Sequence, residues 1–564
     1  MNWYSVLKYG IIILMQREKL KLLFDLDVWP FENNDIDSKV LKALDDVIIE
    51  SVDENNCSDE ILSVYKKFQP MKKDVPESMK NELISTIRNF AKNQKELNRN
   101  LESLILYRFL VVKSVMISED YYNIAFNISH LGRYECAGVY AKLYDKKEEN
   151  RPLAYLLLGD LYKNNFTDYK MAIKYYVKFV GINSTKPSVY NIIADLYSKA
   201  YGDEKIEEQI YYYQKALDLN PENRLSMHGL AFCYEKLGNK EKARYFYQML
   251  LNNNPTETDF YNYGMFLISC GDFINGHNYF RKRFNLNNIN LSYPLAADKK
   301  WDLESDISDK ILLVHYEQGF GDTIMYCRFL SQLKKFAKKI IFVVQKELYD
   351  LISGSDKIFE GIEIRTEFSD KDYDYSMALL DAPYVLKTKA EELPLSNAYI
   401  NVSKDKINEF GDKYINKNNK LKVGFACYGD KSANYNDRNI NIEKLNMLFG
   451  IENTEFYFLQ KEEISSDKFI SLGRYFSNFS DSACAIMCMD IVISTDNVIL
   501  NLAGALGVKT LGLFNKQTNF RWFRTEGDDV GWYSCVKPIQ AQRQNDWSKV
   551  LLKVADQIKK EQTK

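Results

Sequence analysis

The 564-residue chain has little net charge and few histidines. Lys and Arg together number 75 against 77 for Asp and Glu, so the net charge of −2 provides no basic field for nucleic acid. Of the four histidines, His315 alone lies in the C-terminal half, so we expect no histidine-based zinc or iron site there. The nine cysteines are odd in number and scattered, which indicates a reducing compartment rather than a disulfide framework.

Apolar runs of membrane length are absent as well. The run over residues 9–15 is too short to span a bilayer, and no small-residue cleavage site follows it. We expect a buried helix there, no stable membrane span, and a cytoplasmic protein.

What the chain does contain is enough apolar material for two or three folded domains, with 46% hydrophobic residues. The sequence pattern changes near residues 290–310, from one typical of helical repeats to one typical of alternating strands and helices. We therefore predict a helical N-terminal region (1–117), repeats (118–290), and two α/β subdomains (308–405 and 420–560). A charged linker over 403–419 would join the two subdomains.

A repeat of helical hairpins accounts for residues 118–290. Pro221 and Pro255 are 34 residues apart, which is the period of tetratricopeptide repeats. A lone hairpin cannot bury its apolar face, so small residues should let paired helices approach while aromatic residues fill the grooves. Such residues recur at matching positions: Gly159, Tyr162, Ala172, Tyr176; Ala194, Tyr197, Tyr213, Ala216; Ala231, Tyr234, Ala243, Tyr247; Gly264, Leu267, Gly276, Phe280. Residues 202–205 are predicted to form an insertion in one turn.

The predicted solenoid has more than one use. Such repeats commonly bind a peptide or a partner protein. They could equally form a structural arm or an oligomerisation surface. Residues 1–117 show no register and could be degenerate repeats or a cap.

From residue 308 onward, short apolar strands alternate with helices. This alternation predicts two parallel sheets that face one cleft, where ligands bind at the carboxyl ends of strands. The predicted strands are 310–315, 339–344, 360–364, 373–380, 421–427, 455–460, 491–494 and 510–514. Asp372 and Asp374 have the spacing of a metal-diphosphate motif, but an apolar stretch follows them, so we interpret them as a strand edge.

Three loops at these strand ends carry polar residues suited to a phosphorylated ligand. Gly319 and Gly321 allow backbone to approach a ligand, while Asp322 could cap the next helix or act as a general base. Arg438, within the segment Asn436-Asp-Arg-Asn439, is either a phosphate clamp or part of a surface turn. The remaining candidates are Lys461 on the same rim, Ser494, Asp496, and the small-residue helix around Gly504, whose N-terminal amides could face a diphosphate.

Taken in order, these segments resemble a known family. The set comprises 317–322, 436–439, 459–461, 494–496, 502–506 and Arg521-Trp522, preceded by Lys300-Trp301. It is similar to bacterial tetratricopeptide-repeat proteins whose C-terminal domain resembles ADP-heptose:lipopolysaccharide heptosyltransferases, which have a GT-B fold with two Rossmann-like subdomains. Members are associated with protein O-glycosylation, including that of flagellin.

The resemblance implies roles for individual residues. Asp322 matches the catalytic Asp, and Arg438 and Lys461 match the side that binds the donor phosphates. Ser494, Asp496 and the Gly504 helix match the nucleotide-sugar loop. The chain departs from the family at Asn497 and Asn501, where Thr and His are usual. Asparagine can donate a hydrogen bond to phosphate but cannot carry a positive charge.

These observations lead to two hypotheses. In the first, the chain is an inverting, metal-independent glycosyltransferase that uses a nucleotide sugar as donor and needs no other cofactor. Its acceptor would be a Ser or Thr hydroxyl of a protein, such as flagellin, held by the repeats. In the second, the chain is a non-catalytic adaptor with a degenerate glycosyltransferase fold.

Overall fold

The computed structural model describes residues 44, 77–112, 116–147, 152–285, 297–317, 319–394, 397–429, 438–523 and 531–563. The apolar run 9–15, residues 286–296 of the predicted joint, and Asn436 with Asp437 lie outside the described residues. By compactness the chain divides into a first unit, Met1–Cys233, and a second unit, Tyr234–Lys564.

Within the described residues, twelve α-helices precede the first strand. Consecutive helices pair as hairpins in the first unit (α1–α2, α3–α4, α5–α6 and α7–α8) and in the second unit (α11–α12). This arrangement confirms the predicted repeats. Their bounds are α1 Glu77–Glu96, α2 Asn100–Val112, α3 Ser118–His130, α4 Tyr134–Lys147, α5 Pro152–Asn164, α6 Tyr169–Ile182, α7 Pro187–Tyr201, α8 Ile206–Leu219, α9 Arg224–Lys236, α10 Lys240–Asn252, α11 Glu257–Ser269 and α12 Phe273–Phe280.

Hairpins of the first unit stack through small residues and aromatic rings, as the repeat pattern predicts. A methyl group on Gly159 would lie 3.0 Å from the ring of Tyr176, so glycine is what lets α5 and α6 approach closely. The predicted insertion at Gly202–Lys205 is a short 3₁₀ turn between α7 and α8. Hairpin α1–α2 packs on α3, so repeat-like stacking begins before residue 118.

The last hairpin, α11–α12, belongs to the core of the second unit. Phe273 and Phe280 lie in one hydrophobic cluster with the strands that follow, and the ring of Phe273 is 4.7 Å from that of Phe523. Beyond α12, the 3₁₀ turn Arg281–Asn285 buries Arg283 completely. Its guanidinium binds Glu317 at 2.6 Å and Asp381 at 2.7 Å. The predicted joint near 290–310 therefore lies within a compact unit, because these contacts attach the final repeat to the α/β module.

Replacing Gly264 with Ala should destabilise this hairpin. A methyl group at position 264 would lie 2.6 Å from the backbone nitrogen of Phe280, and a backbone atom cannot move aside as a side chain can. We expect a loss of about 1–3 kcal/mol in the free energy of unfolding, measured by denaturant titration. Gly181→Ala is the matched control. Gly181 is a helical glycine with open space around it, so Ala should be neutral or slightly stabilising there.

The α/β module contains two parallel sheets, as predicted. The first has the strand order β3-β2-β1-β4 and the second β10-β9-β8-β5-β6-β7. We name the parts built on these sheets the N-terminal and C-terminal subdomains. The strands are β1 Ile307–His315, β2 Ala337–Val343, β3 Ile362–Arg365, β4 Tyr375–Ala378, β5 Leu421–Ala426, β6 Thr454–Phe458, β7 Ile470–Ser471, β8 Ile491–Thr495, β9 Thr510–Phe514 and β10 Val536–Gln540.

Helices connect these strands. The α-helices are α13 Phe320–Tyr326, α14 Leu330–Leu333, α15 Tyr349–Ser353, α16 Asp356–Phe359, α17 Ala382–Val385, α18 Lys404–Tyr414, α19 Asn446–Phe449, α20 Phe479–Met487, α21 Val498–Leu506 and α22 Ser548–Gln562. The 3₁₀ turns of the module are Ala297–Lys299, Cys327–Phe329, Lys346–Leu348, Leu379–Asp381, Ala390–Glu392, Ile442–Leu445 and Gly473–Tyr475.

The predicted linker over 403–419 is wrong in its central part, which forms helix α18. Ser403 caps this helix by accepting a hydrogen bond from the backbone nitrogen of Lys406 at 3.3 Å. Phe410 is buried while the charged residues of the helix stay exposed. The charges that resembled a linker are thus the solvent face of an amphipathic helix.

Asp372 and Asp374 form a strand edge, as predicted. The Asp374 carboxylate accepts a hydrogen bond from the backbone nitrogen of Ile311 at 2.8 Å. Asp372 forms an ion pair with Arg365 at 3.0 Å and accepts from the backbone nitrogen of Ser369. Both carboxylates thus hold the start of β4 in place.

Candidate functional site

A cleft of about 680 Å³ lies between the two subdomains, at the carboxyl ends of their strands. The N-terminal subdomain contributes the turn after β1 and the start of α13. The C-terminal subdomain contributes loops that follow β5, β6, β8 and β9. The polar and charged residues that line the cleft include Asp322, Glu347, Arg438, Gln460, Lys461, Glu462, Asn478, Asp496, Asn497, Asn501, Asn519 and Arg521.

The turn after β1 brings Asp322 into the cleft. Gly319 is the N-cap of α13, and Asp322 is the third residue of the helix. The Asp322 side chain does not cap the helix, which excludes the capping alternative. Its Oδ1 atom instead lies 2.5 Å from Nε of Arg521.

Gly321 allows the two subdomains to approach each other at this point. A methyl group on Gly321 would lie 3.0 Å from Nδ2 of Asn501 and 3.9 Å from Cα of Val498. Helix α13 accordingly packs directly on α21. Gly321, the second glycine of the turn, therefore allows the two subdomains to contact each other and also lines the cleft.

The environment of Asp322 raises the pKa of its carboxyl group. Burial raises the pKa of Asp322, and the nearby carboxylates of Glu317 and Asp496 raise it further. Arg521 and Arg438 act in the opposite direction and lower the pKa of Asp322. A carboxylate with a raised pKa is a stronger base and is suited to accept a proton from a substrate.

Asp496 lies on the opposite wall, after β8. Its Oδ1 atom accepts a hydrogen bond from the indole Nε1 of Trp522 at 2.8 Å. Burial raises the pKa of Asp496, and the Trp522 hydrogen bond opposes this shift. Asp322 and Asp496 are therefore held by adjacent residues, Arg521 and Trp522.

The amides at the start of α21 do not all face the cleft, which corrects the prediction for this loop. Asn497 is the N-cap, and its Oδ1 accepts from the backbone nitrogens of Ile499 at 2.8 Å and Leu500 at 3.3 Å. Those two amides are thus satisfied within the protein. Ser494 is fully buried behind the loop and donates to Oδ1 of Asn497 at 3.0 Å, so it supports the cap instead of lining the cleft.

Asn501 lines the cleft, but Gly504 does not. Nδ2 of Asn501 donates to the backbone oxygen of Asn497, and Oδ1 accepts from the Tyr533 hydroxyl at 3.0 Å. A methyl group on Gly504 would lie 2.5 Å from the ring of Tyr533. Gly504 is therefore a packing position against Tyr533, and the prediction that it contacts the donor is not supported by its place in the fold.

Arg438 and Lys461 both line the cleft, on the C-terminal subdomain. Arg438 is half-buried, and its Nε atom would lie 2.6 Å from a methyl group on Gly429, so the backbone passes close to the guanidinium. Lys461 is exposed at the rim. Gln460, beside it, accepts from the backbone nitrogens of Cys427 and Tyr428 and so ties the β5 loop to the β6 loop.

The structure brings together eight of the predicted site residues in one cleft. They are Gly319, Gly321, Asp322, Arg438, Lys461, Asp496, Asn497 and Asn501. The sequence predicts no individual role for Arg521 or Trp522, although both belong to the set of segments that carries the resemblance. Nothing in the sequence indicates that residue 521 lies against residue 322, because the contact joins two distant segments.

Two further properties concern only the part of the chain that the structure describes. In that part, no group of three or more His, Cys, Asp or Glu side chains is arranged to hold a metal ion. Nor does any helix there have the length and apolar character needed to cross a membrane.

Comparison with known proteins identifies the repeats. Residues 153–186 and 226–256 each match a model of the tetratricopeptide repeat. Protein FlbA of Caulobacter vibrioides (strain ATCC 19089 / CIP 103742 / CB 15) is 21% identical over 387 residues. That alignment covers 62% of this chain and 64% of FlbA, so the chain spans less than two thirds of this relative.

Solved structures with partial similarity include both repeat proteins and a glycosyltransferase. YrrB, described as a TPR protein with an unusual peptide-binding site, is 16% identical with a TM-score of 0.29, covering 32% of this chain and 92% of YrrB. A glycosyl transferase family 9 structure from Veillonella parvula DSM 2008 is 12% identical with a TM-score of 0.35, covering 46% of this chain and 100% of that one. This chain therefore contains tetratricopeptide repeats, followed by an α/β module whose two parallel sheets face one cleft.

Proposed function

We propose that this protein is an inverting glycosyltransferase. It transfers a sugar from a nucleotide-diphosphate donor to a Ser or Thr hydroxyl of a protein that its repeats hold. The observation that supports this most is the shared cleft: Asp322 lies on one wall, and Arg438 and Lys461 lie on the other. A base and a cationic site must be close together for a hydroxyl to displace a diphosphate.

The proposed reaction is a single displacement. The acceptor oxygen attacks the anomeric carbon as the bond from that carbon to the diphosphate oxygen breaks. The hydroxyl proton passes to the Asp322 carboxylate, and the bonding electrons leave with the nucleoside diphosphate. One displacement inverts the configuration at the anomeric carbon.

Charge in the cleft supports a diphosphate leaving group. Guanidinium and ammonium groups bind phosphate oxygens well, and Arg438 and Lys461 supply one of each. Arg521 is already paired with Asp322 and contributes less to an incoming anion. We propose that Arg438 and Lys461 meet the diphosphate charge without a metal, which stabilises the leaving group in the transition state.

The repeats supply the acceptor in this proposal. Tetratricopeptide repeats commonly bind peptides or partner proteins, and such binding would raise the local concentration of a weakly recognised hydroxyl. The resemblance to protein O-glycosyltransferases makes flagellin a first acceptor to examine. We propose the cytoplasm as the compartment of this reaction.

A second candidate function is that of a non-catalytic adaptor. It is favoured by Asn497 and Asn501, whose amide groups are engaged with the α21 backbone, Ser494 and Tyr533. Groups held in this way serve the fold whether or not a sugar nucleotide binds. In this case the repeats would bind a partner and the cleft would have no turnover.

Donor turnover distinguishes the two functions. The full chain is incubated with sugar nucleotides of several bases and with candidate acceptors including flagellin, and release of nucleoside diphosphate is followed together with the intact mass of each acceptor. A mass increase of one sugar with matching diphosphate release supports the transferase. Absence of both with every donor supports the adaptor.

A further inference from the structure

Residues 521 and 522 each contact one aspartate of the cleft, Asp322 from the N-terminal subdomain and Asp496 from the C-terminal subdomain. Arg521 contacts Asp322 at the start of α13, and Trp522 contacts Asp496 after β8. The two donors differ in charge, since a guanidinium is cationic and an indole N–H is neutral. The loop after β9 therefore places a cationic donor against Asp322 and a neutral donor against Asp496.

Arg521 is itself fixed at several points. Asn519 accepts hydrogen bonds from both the backbone nitrogen and Nη1 of Arg521, each at 3.1 Å. The backbone oxygen of Arg521 accepts from the indole Nε1 of Trp532 at 2.6 Å. The side chain of Arg521 is 12% exposed, so its guanidinium is held against Asp322 with little access to water.

The contact occupies one oxygen of Asp322 and leaves the other open. Nε of Arg521 lies against Oδ1, whereas Oδ2 accepts no hydrogen bond from any residue that the structure describes. Asp322 lines the cleft, so Oδ2 is the atom that can receive a proton from a bound hydroxyl.

We infer that Arg521 is the positioning residue for Asp322: it anchors Oδ1 and keeps the carboxylate ionised in the cleft so that Oδ2 can take the acceptor proton. This inference rests on the proposed function and extends it to a residue outside the base and the donor site. It also explains why a buried acid can act as a base.

The charges around Asp322 determine the direction of the effect. Burial, Glu317 and Asp496 raise the pKa of Asp322, while Arg521 and, more weakly, Arg438 lower it. The Tyr326 hydroxyl also interacts electrostatically with the Asp322 carboxyl. Because Arg521 is the largest opposing influence, removal of its charge leaves burial and the two carboxylates to raise the pKa of Asp322 further.

Arg521→Gln should therefore shift the acid limb of the pH profile. A base acts only above its pKa, so kcat/KM for sugar transfer should fall at a pH higher by about one unit or more than in the wild type. Arg521→Lys keeps the charge without the fork geometry and should shift the limb less. Arg543→Gln, at an exposed arginine outside the cleft, should not shift it.

A second readout does not depend on turnover. Carbodiimide labels protonated carboxyl groups, and peptide mass spectrometry gives the pH midpoint for Asp322, with exposed Asp467 as internal reference. Arg521→Gln should raise the Asp322 midpoint and leave that of Asp467 unchanged. If the wild type transfers no sugar but the midpoint moves, the ionic role of Arg521 stands and the proposed function falls. A uniform loss of rate at all pH values with an unmoved midpoint would show a merely structural role and overturn the inference.

Discussion

Replacing Asp322 with Asn is expected to lower kcat for sugar transfer by about 10²–10⁴-fold, the usual contribution of a general base. Asparagine has nearly the same shape but cannot accept the hydroxyl proton. The measurement is diphosphate release under saturating donor and acceptor, with the Kd for the donor measured in parallel. We expect that Kd to change little, because Asp322 lies on the wall opposite Arg438 and Lys461.

Asp467→Asn is the matched control for this substitution. Asp467 is exposed and lies outside the cleft, so its replacement makes the same chemical change without touching the site. The control should transfer sugar at the wild-type rate. Undiminished transfer by purified Asp322→Asn would show that another group acts as the base.

Replacing Arg438 with Ala is expected to weaken binding of nucleoside diphosphates by roughly 10- to 150-fold. This corresponds to about 1.5–3 kcal/mol, the range for hydrogen bonds to a charged group. Arg438 is half-buried beside Gly429, where a guanidinium is partly shielded from water and binds phosphate more strongly. Calorimetric titration gives the change in Kd directly.

Two comparisons make the Arg438 result specific. Arg543→Ala removes an exposed arginine outside the cleft and should leave the Kd unchanged. Lys461→Ala should weaken binding less than Arg438→Ala, because Lys461 is exposed at the rim and its charge is screened. Equal affinity in Arg438→Ala and the wild type would exclude Arg438 from the diphosphate site.

Local patterns were sufficient to predict the repeats and most strands. The spacing of Gly159 and Tyr176 reflects a contact between adjacent helices, which sequence period determines. Central strands such as β8 are buried on both faces and therefore form short apolar runs. By contrast, β10 contains Lys537 and Pro538 and lies at a sheet edge, where such residues are tolerated, so its pattern does not identify it as a strand.

The site was predictable in its loops but not in its contacts. The polar residues at strand ends mark the cleft, since the carboxyl ends of parallel strands meet at one edge. Which residues of a loop face the cleft depends on tertiary packing, and local sequence patterns do not reveal it. The sequence pattern therefore predicts donor binding by Ser494 and Gly504, although neither residue lines the cleft. The ion pair of Arg521 with Asp322 joins the two subdomains and leaves no local signal.

Titration of the full chain with nucleoside diphosphates and their sugar conjugates, in the wild type and in Arg438→Ala, tests whether the cleft is a donor site. We expect the wild type to bind at least one nucleoside diphosphate in the micromolar range. We expect the affinity of Arg438→Ala to be lower by tenfold or more. Absence of binding at millimolar concentration in the wild type would contradict the proposed transferase function, since a cleft that holds no diphosphate cannot transfer a sugar from one.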